Sequence, residues 1–283
     1  MADVGELLER IHAADREAVE ATGRVLPAVA RAAEAIAGRL DAGGRWLNVG
    51  AGTSGRIAAL DAAELPPTFG VDPGLVTTLM AGGAGAFFTA VEGAEDDEAR
   101  GGEDLAAAGL TPRDAVVGVA ASGSTPYVAG ALRFAKRVGA LTVALVCAAP
   151  SPLAELADLA IVAETGPEVL RGSTRMKAGT AQKLLLNMLS TAVMARRGLV
   201  WRDEMVAMRP TNRKLRLRAV RIVGDLASLA PDAAERVLEE AGWDLPAALV
   251  SARWGLDVAR GRAWLASRGG NVARALDEEP RWG

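Results

Sequence analysis

From Val4 to Leu40 the apolar residues recur at helical spacing. Leu7, Leu8, Ile11, Val19, Val25, Leu26, Val29, Ile36 and Leu40 form a stripe interrupted near Gly23, which predicts two helices joined near Thr22-Gly23. Asp41-Ala42-Gly43-Gly44 ends the second of them. The pattern then changes to short, nearly continuous Val/Ile/Leu/Ala runs at 45–50, 75–80, 114–121, 141–148 and 159–163. Runs that are apolar on both faces and separated by helical stretches predict a parallel sheet covered on both sides. The segment 127–138 reads as a crossover helix, and a long apolar helix follows over 178–196. After Gly198 the spacing is wholly helical, with helices at 215–229, 233–241, 245–251 and 259–267 and a last one ending near Asp277. The expected fold is α/β: a five-stranded parallel sheet flanked by helices over 36–199, N-terminal helices over 1–35 and a small C-terminal helical bundle over 200–283.

Composition narrows the chemistry. Half of the 283 residues are hydrophobic, which is ample for a core, and a net charge of −3 with both signs scattered gives no nucleic-acid surface. The basic stretch from Arg209 to Arg221 is interleaved with Leu215, Leu217 and Val220 and reads as a solvated helix face. No apolar run approaches the roughly 20 residues of a membrane span, and the N-terminus carries acid rather than a basic leader, so a cytoplasmic protein is expected. The lone histidine, His12, belongs to the amphipathic first helix, and the lone cysteine, Cys147, to an apolar run. Neither is expected to act in chemistry, and no His/Cys cluster exists to hold zinc. Acid–base work therefore falls to carboxylates, lysines or the tyrosine.

Two hydroxyl-rich, glycine-punctuated turns follow strands. One is Asn48-Val49-Gly50-Ala51-Gly52-Thr53-Ser54-Gly55-Arg56 and the other Ala120-Ala121-Ser122-Gly123-Ser124-Thr125-Pro126. In an open parallel sheet such turns gather at the carboxyl edge, where backbone N–H groups and helix dipoles favour a phosphate. The first turn also matches G-x-G-x-x-G, but the next strand ends in Ala81-Gly82-Gly83 without the acidic residue that would hold a ribose, which argues against a dinucleotide. Ser122, Gly123, Ser124 and Thr125 are the expected phosphate cradle, with Gly52, Thr53 and Ser54 toward the sugar. A third segment, Gly172-Ser173-Thr174-Arg175-Met176-Lys177, opens the long apolar helix. Ser173 or Thr174 is expected to cap it, and Lys177 to offer a cation to an anion there.

Two acidic places stand out: Glu64, just before Leu65-Pro66-Pro67, and Glu95 in the acidic stretch Val91–Glu98. The double proline is expected to end the helix that begins near Ser54. The stretches 48–56, 60–70, 90–96 and 172–183, in this order, closely resemble those of the N-acetylmuramic acid 6-phosphate etherases. The resemblance runs from about residue 5 to 278. It implies a sugar isomerase (SIS) domain that binds a phosphorylated amino sugar, a homodimer, and no metal or organic cofactor. The implied reaction releases D-lactate from C3 of the phosphosugar, by elimination and then hydration, in cell-wall recycling. By position in the matched motifs Glu64 resembles the family's acid and Glu95 its base. The segment 201–212 departs from the family pattern. A straight helix from Ser54 would put Glu64 on the order of 15 Å from the turn, so Glu64 is expected to serve the site of a partner subunit. Two other readings share the architecture: a non-catalytic phosphosugar sensor similar to glucokinase regulatory protein, and an aldose–ketose isomerase.

Overall fold

The computed structural model describes residues 3–280. Its chain folds as two compact units. The first comprises the described residues through Ala63 together with Pro73–Val193, and the second Glu64–Asp72 with the described residues from Met194 onward.

The first unit opens with helices α1 (Val4–Arg24) and α2 (Leu26–Asp41). Asp3 caps α1 by accepting the Glu6 N–H, and Pro27 stands in the first turn of α2, where a missing N–H costs nothing. The sheet is built from β1 (Trp46–Gly50), β2 (Val76–Met80), β3 (Ala115–Ala120), β4 (Leu141–Val146) and β5 (Leu159–Val162). All neighbours are parallel, in the order β2-β1-β3-β4-β5. The expected five-stranded parallel sheet is thus present. β1, β3 and β4 are buried along their whole length, which is why their sequences are continuous apolar runs rather than alternations. The strand order reverses between β1 and β3, the place where open parallel sheets bind ligands.

Helices α4 (Glu98–Ala107), α5 (Pro126–Val138) and α6 (Pro152–Leu156) belong to the same unit, as does the part of α7 (Lys177–Arg196) up to Val193. One helix corrects an expectation. The helix α3 (Gly52–Phe69) runs through Pro66 and Pro67 instead of ending before them. Each proline removes a single donor, and the helix resumes beyond them with Gly70 N donating to Pro66 O at 2.9 Å. It stops at Gly70, whose φ is +67°.

The second unit holds α8 (Arg213–Ala227), α9 (Pro231–Glu240), α10 (Leu245–Trp254), α11 (Val258–Ser267) and α12 (Val272–Asp277). They close around a core of their own that includes Ile222, Val223, Leu238, Leu249, Trp264 and Leu276. Asn212, Asp244, Asp257 and Asn271 each cap one of these helices with a side-chain oxygen. Among the described residues no helix is long and apolar enough to cross a membrane.

Candidate active site

At the end of β1 the turn packs tightly. A Cβ on Gly50 would sit 2.8 Å from Gly55 Cα, so these two glycines let α3 start directly against the strand, and Gly52 enters the helix at φ +52°. The G-x-G-x-x-G spacing is explained by this packing. Thr53 is half-buried beside Gly179 of α7. Ser54 is buried and donates its hydroxyl to Gln182 Oε1 at 3.0 Å.

At the end of β3 the second turn lies next to the first, because β1 and β3 pair with Gly50 opposite Val119. Ser122 and Ser124 are exposed. Ser122 Oγ accepts from Ser124 N at 3.3 Å and from Ser124 Oγ at 3.4 Å, and lies 3.5 Å from Thr125 Oγ1. The turn is held from below by Ser151, whose hydroxyl donates to Gly123 O at 2.9 Å, and by Leu153 N, 3.1 Å from the same oxygen. Thr125 is the N-cap of α5 without a side-chain cap bond. The 13-residue helix α5 starts directly after the hydroxyl cluster, with Pro126 as its first residue, and the positive end of its dipole favours an anion there.

The segment at 172–183 behaves differently from expectation at its cap. Glu168, and neither Ser173 nor Thr174, supplies the side-chain cap bonds of α7, its two oxygens accepting from Lys177 N at 3.2 Å and Ala178 N at 3.1 Å. A carboxylate at this end is favoured by the helix dipole as well as by the two bonds. Lys177 is buried, and its ammonium donates to Glu17 Oε2 of α1 at 2.8 Å. That ammonium holds the Glu17 carboxyl below the usual carboxylate range, chiefly through the hydrogen bond. Ser173 is half-buried.

Glu95 lies in a short 3-10 turn, Ala94–Asp96, entered through Gly93, and is exposed. It lines a cavity of about 320 Å³ together with Ala51 and Gly52 from the first turn, Met80 and Ala81 from the end of β2, and Arg56. The turn after β1 and the predicted base thus share one cavity. Glu64 is exposed on α3 and belongs to the second unit. Asp61, by contrast, is buried, its Oδ1 accepting from Asn187 Nδ2 at 2.7 Å and Ser190 Oγ at 3.1 Å. Burial pushes its carboxyl up, although those two bonds and Lys183 oppose the shift.

Sequence reasoning missed Arg56, Glu168, Gln182 and Ser151. Arg56, Gln182 and Ser151 meet partners 28 or more positions away, so local spacing carried no signal for them, and Glu168 caps α7 from nine and ten positions away across a turn whose course the sequence does not show. Cys147 is buried, and burial together with Glu168 pushes its thiol up to about 12, so it is a neutral core thiol near pH 7.

The five-stranded parallel sheet with hydroxyl-rich turns at its switch point has the architecture of a SIS domain, and direct comparison agrees. Residues 90–192 match the SIS domain family, and residues 28–136 match the family described as glucokinase regulatory protein N-terminal SIS domain. Among solved structures the fold is shared with a phosphoheptose isomerase from Francisella tularensis, which is 21% identical with a TM-score of 0.55 and covers 69% of this chain and 100% of that one. It is also shared with the Vibrio vulnificus NanR protein complexed with ManNAc-6P, 17% identical with a TM-score of 0.50, covering 68% of this chain and 64% of that one. The chain belongs to the N-acetylmuramic acid 6-phosphate etherase family. Over 272 residues it is 48% identical to members from Salmonella agona and Salmonella typhimurium, a span covering 96% of this chain and 92% of each of theirs.

Proposed function

We propose that the protein cleaves the D-lactyl ether of N-acetylmuramic acid 6-phosphate, with water, to N-acetylglucosamine 6-phosphate and D-lactate. The observation that carries this reading is the near full-length identity to etherases, which takes in the stretches around both Glu64 and Glu95.

The chemistry follows from what an ether needs. An ether oxygen leaves poorly unless protonated, and a C2 proton becomes removable once the ring has opened to the aldehyde. In this scheme Glu95 takes the C2 proton, the C3–O bond breaks, and Glu64 gives its proton to the departing lactate oxygen. Water then adds at C3, giving a proton to Glu64, while Glu95 returns its proton to C2. Both carboxyls end as they began, so no cofactor is needed.

In this scheme the 6-phosphate sits on Ser122, Gly123, Ser124 and Thr125 at the start of α5. Gly52, Thr53, Ser54 and Ser173 face the sugar, and Ser54 offers its backbone because its hydroxyl is committed to Gln182. Lys177 is buried with its ammonium paired to Glu17, and its remaining N–H donors are what it would offer a ligand. The reading makes the protein a cytoplasmic homodimer that returns cell-wall amino sugar to use.

The test is D-lactate release from the phosphorylated substrate by purified protein. Release is expected in the wild type and lost in Glu64→Ala. In Glu95→Gln, C2 proton exchange should vanish while phosphosugar binding persists. Binding without release in the wild type would instead indicate a phosphosugar sensor.

A further inference from the structure

Arg56 is half-buried on α3, one turn beyond Thr53, and lines the same cavity as Glu95. Its Nε donates to Phe87 O at 3.0 Å and its Nη2 to Ala86 O at 2.8 Å. Both oxygens belong to the 3-10 turn Ala84–Phe87 on the chain between β2 and α4. At the start of that stretch Ala81 N donates to Gly50 O at 3.0 Å, and beyond it the backbone hydrogen bonds are short in range: Gly83 N to Met80 O, Ala86 N to Gly83 O, Thr89 N to Gly85 O and Asp96 N to Gly93 O. Arg56 reaches it from about 30 positions away.

We propose that Arg56 is a positioning residue for the base: its planar fork fixes the loop bearing Glu95 against the helix that starts at the sugar-binding turn. The inference rests on the etherase reading. α3 begins in the turn that faces the sugar, and the 84–96 stretch forms the wall from which Glu95 must reach the C2 proton. Two parallel N–H donors on one rigid guanidinium hold two successive carbonyls in distance and in angle, which a single ammonium does not do. The requirement on the base is strict. Proton abstraction needs a heavy-atom approach of about 2.6–3.2 Å, and a misplacement of about 1 Å can cost on the order of 100-fold in rate.

The experiment compares Arg56→Ala and Arg56→Lys with the wild type in D-lactate release, C2 deuterium exchange into N-acetylglucosamine 6-phosphate, and affinity for that product. In Arg56→Ala, kcat and C2 exchange should fall together by about 100-fold, with affinity within about threefold of wild type. Added guanidinium ion at millimolar concentration should restore part of the rate. Arg56→Lys should stay slow, because it keeps the charge and loses the fork, and it serves as the measurement if Arg56→Ala does not fold. Affinity falling as far as rate, a wild-type rate in either variant, or C2 exchange left intact would each overturn the proposal. A wild-type protein that releases no D-lactate would sink the etherase reading itself, an outcome separate from active wild type with unaffected Arg56 variants.

Discussion

Asp114 shows how one side chain joins two strands. Its carboxylate accepts from Arg45 N at 2.7 Å, Thr111 N at 2.8 Å and Arg45 Nη2 at 3.0 Å, tying the start of β1 to the start of β3. Burial by itself would raise its pKa, but the bonds from Arg45 and Thr111 outweigh it and hold the carboxyl below its usual range. A carboxyl depressed on folding stabilises above its unfolded pKa of about 3.9, and that stability is lost as the pH falls toward the folded value. Asp114→Ala should therefore lower stability at pH 7 by about 1–3 kcal/mol, since two backbone donors lose their acceptor. Urea unfolding at pH 7 and near pH 3 checks this, the gap between variant and wild type narrowing at the lower pH. The bond from Thr111 is local, but nothing in the sequence around Asp114 marks its link to Arg45, which lies 69 positions away.

The elements that meet most closely are α4 and α5. A Cβ on Gly101 of α4 would overlap Tyr127 O, and one on Gly130 of α5 would overlap Glu98 O, so the two backbones touch through glycine. Tyr127 Oη donates to Asp104 Oδ2 at 2.7 Å across the same contact. α4 begins three residues after Glu95 and α5 directly after the hydroxyl-rich turn, so this helix pair couples the loop of the proposed base to the proposed phosphate cradle. Gly101→Ala should cost about 1–3 kcal/mol through overpacking, read as a lower thermal midpoint, and should weaken phosphosugar binding as well. Thermal unfolding with and without N-acetylglucosamine 6-phosphate separates the two effects. The sequence does not announce α4: its acidic start reads as a loop, and its apolar face is narrow, with Gly101 and Leu105 as its buried residues. The opposite error occurs at Pro66-Pro67, where local steric rules predict a stop and the helix continues.

At the scale of the molecule, a continuous α3 sharpens the question of where Glu64 acts. Ten residues of helix separate it from Ser54, about 15 Å at 1.5 Å per residue. If the acid serves a partner's site, a Glu64→Gln subunit mixed with a Ser124→Asp subunit should recover about a quarter of wild-type activity, because half of the dimers are mixed and each of these carries one intact site. Each variant alone should be inactive, and a mixture as inactive as its components would place the acid within its own subunit. The chain order of the strands, the parallel sheet and the turns facing its carboxyl edge were determined by the sequence, since they depend on apolar periodicity and on glycine at fixed positions. The family was legible as well, in motifs that are contiguous in the chain. Only the tertiary structure decided that Ser54 spends its hydroxyl on Gln182, that Glu168 caps α7, that Lys177 is paired with Glu17, and that Arg56 latches the wall beside Glu95. Those outcomes are competitions among donors and acceptors that the fold brings together, three of the four from parts of the chain 30 or more positions apart, and the winner is set by distance and burial, which residue order does not encode locally.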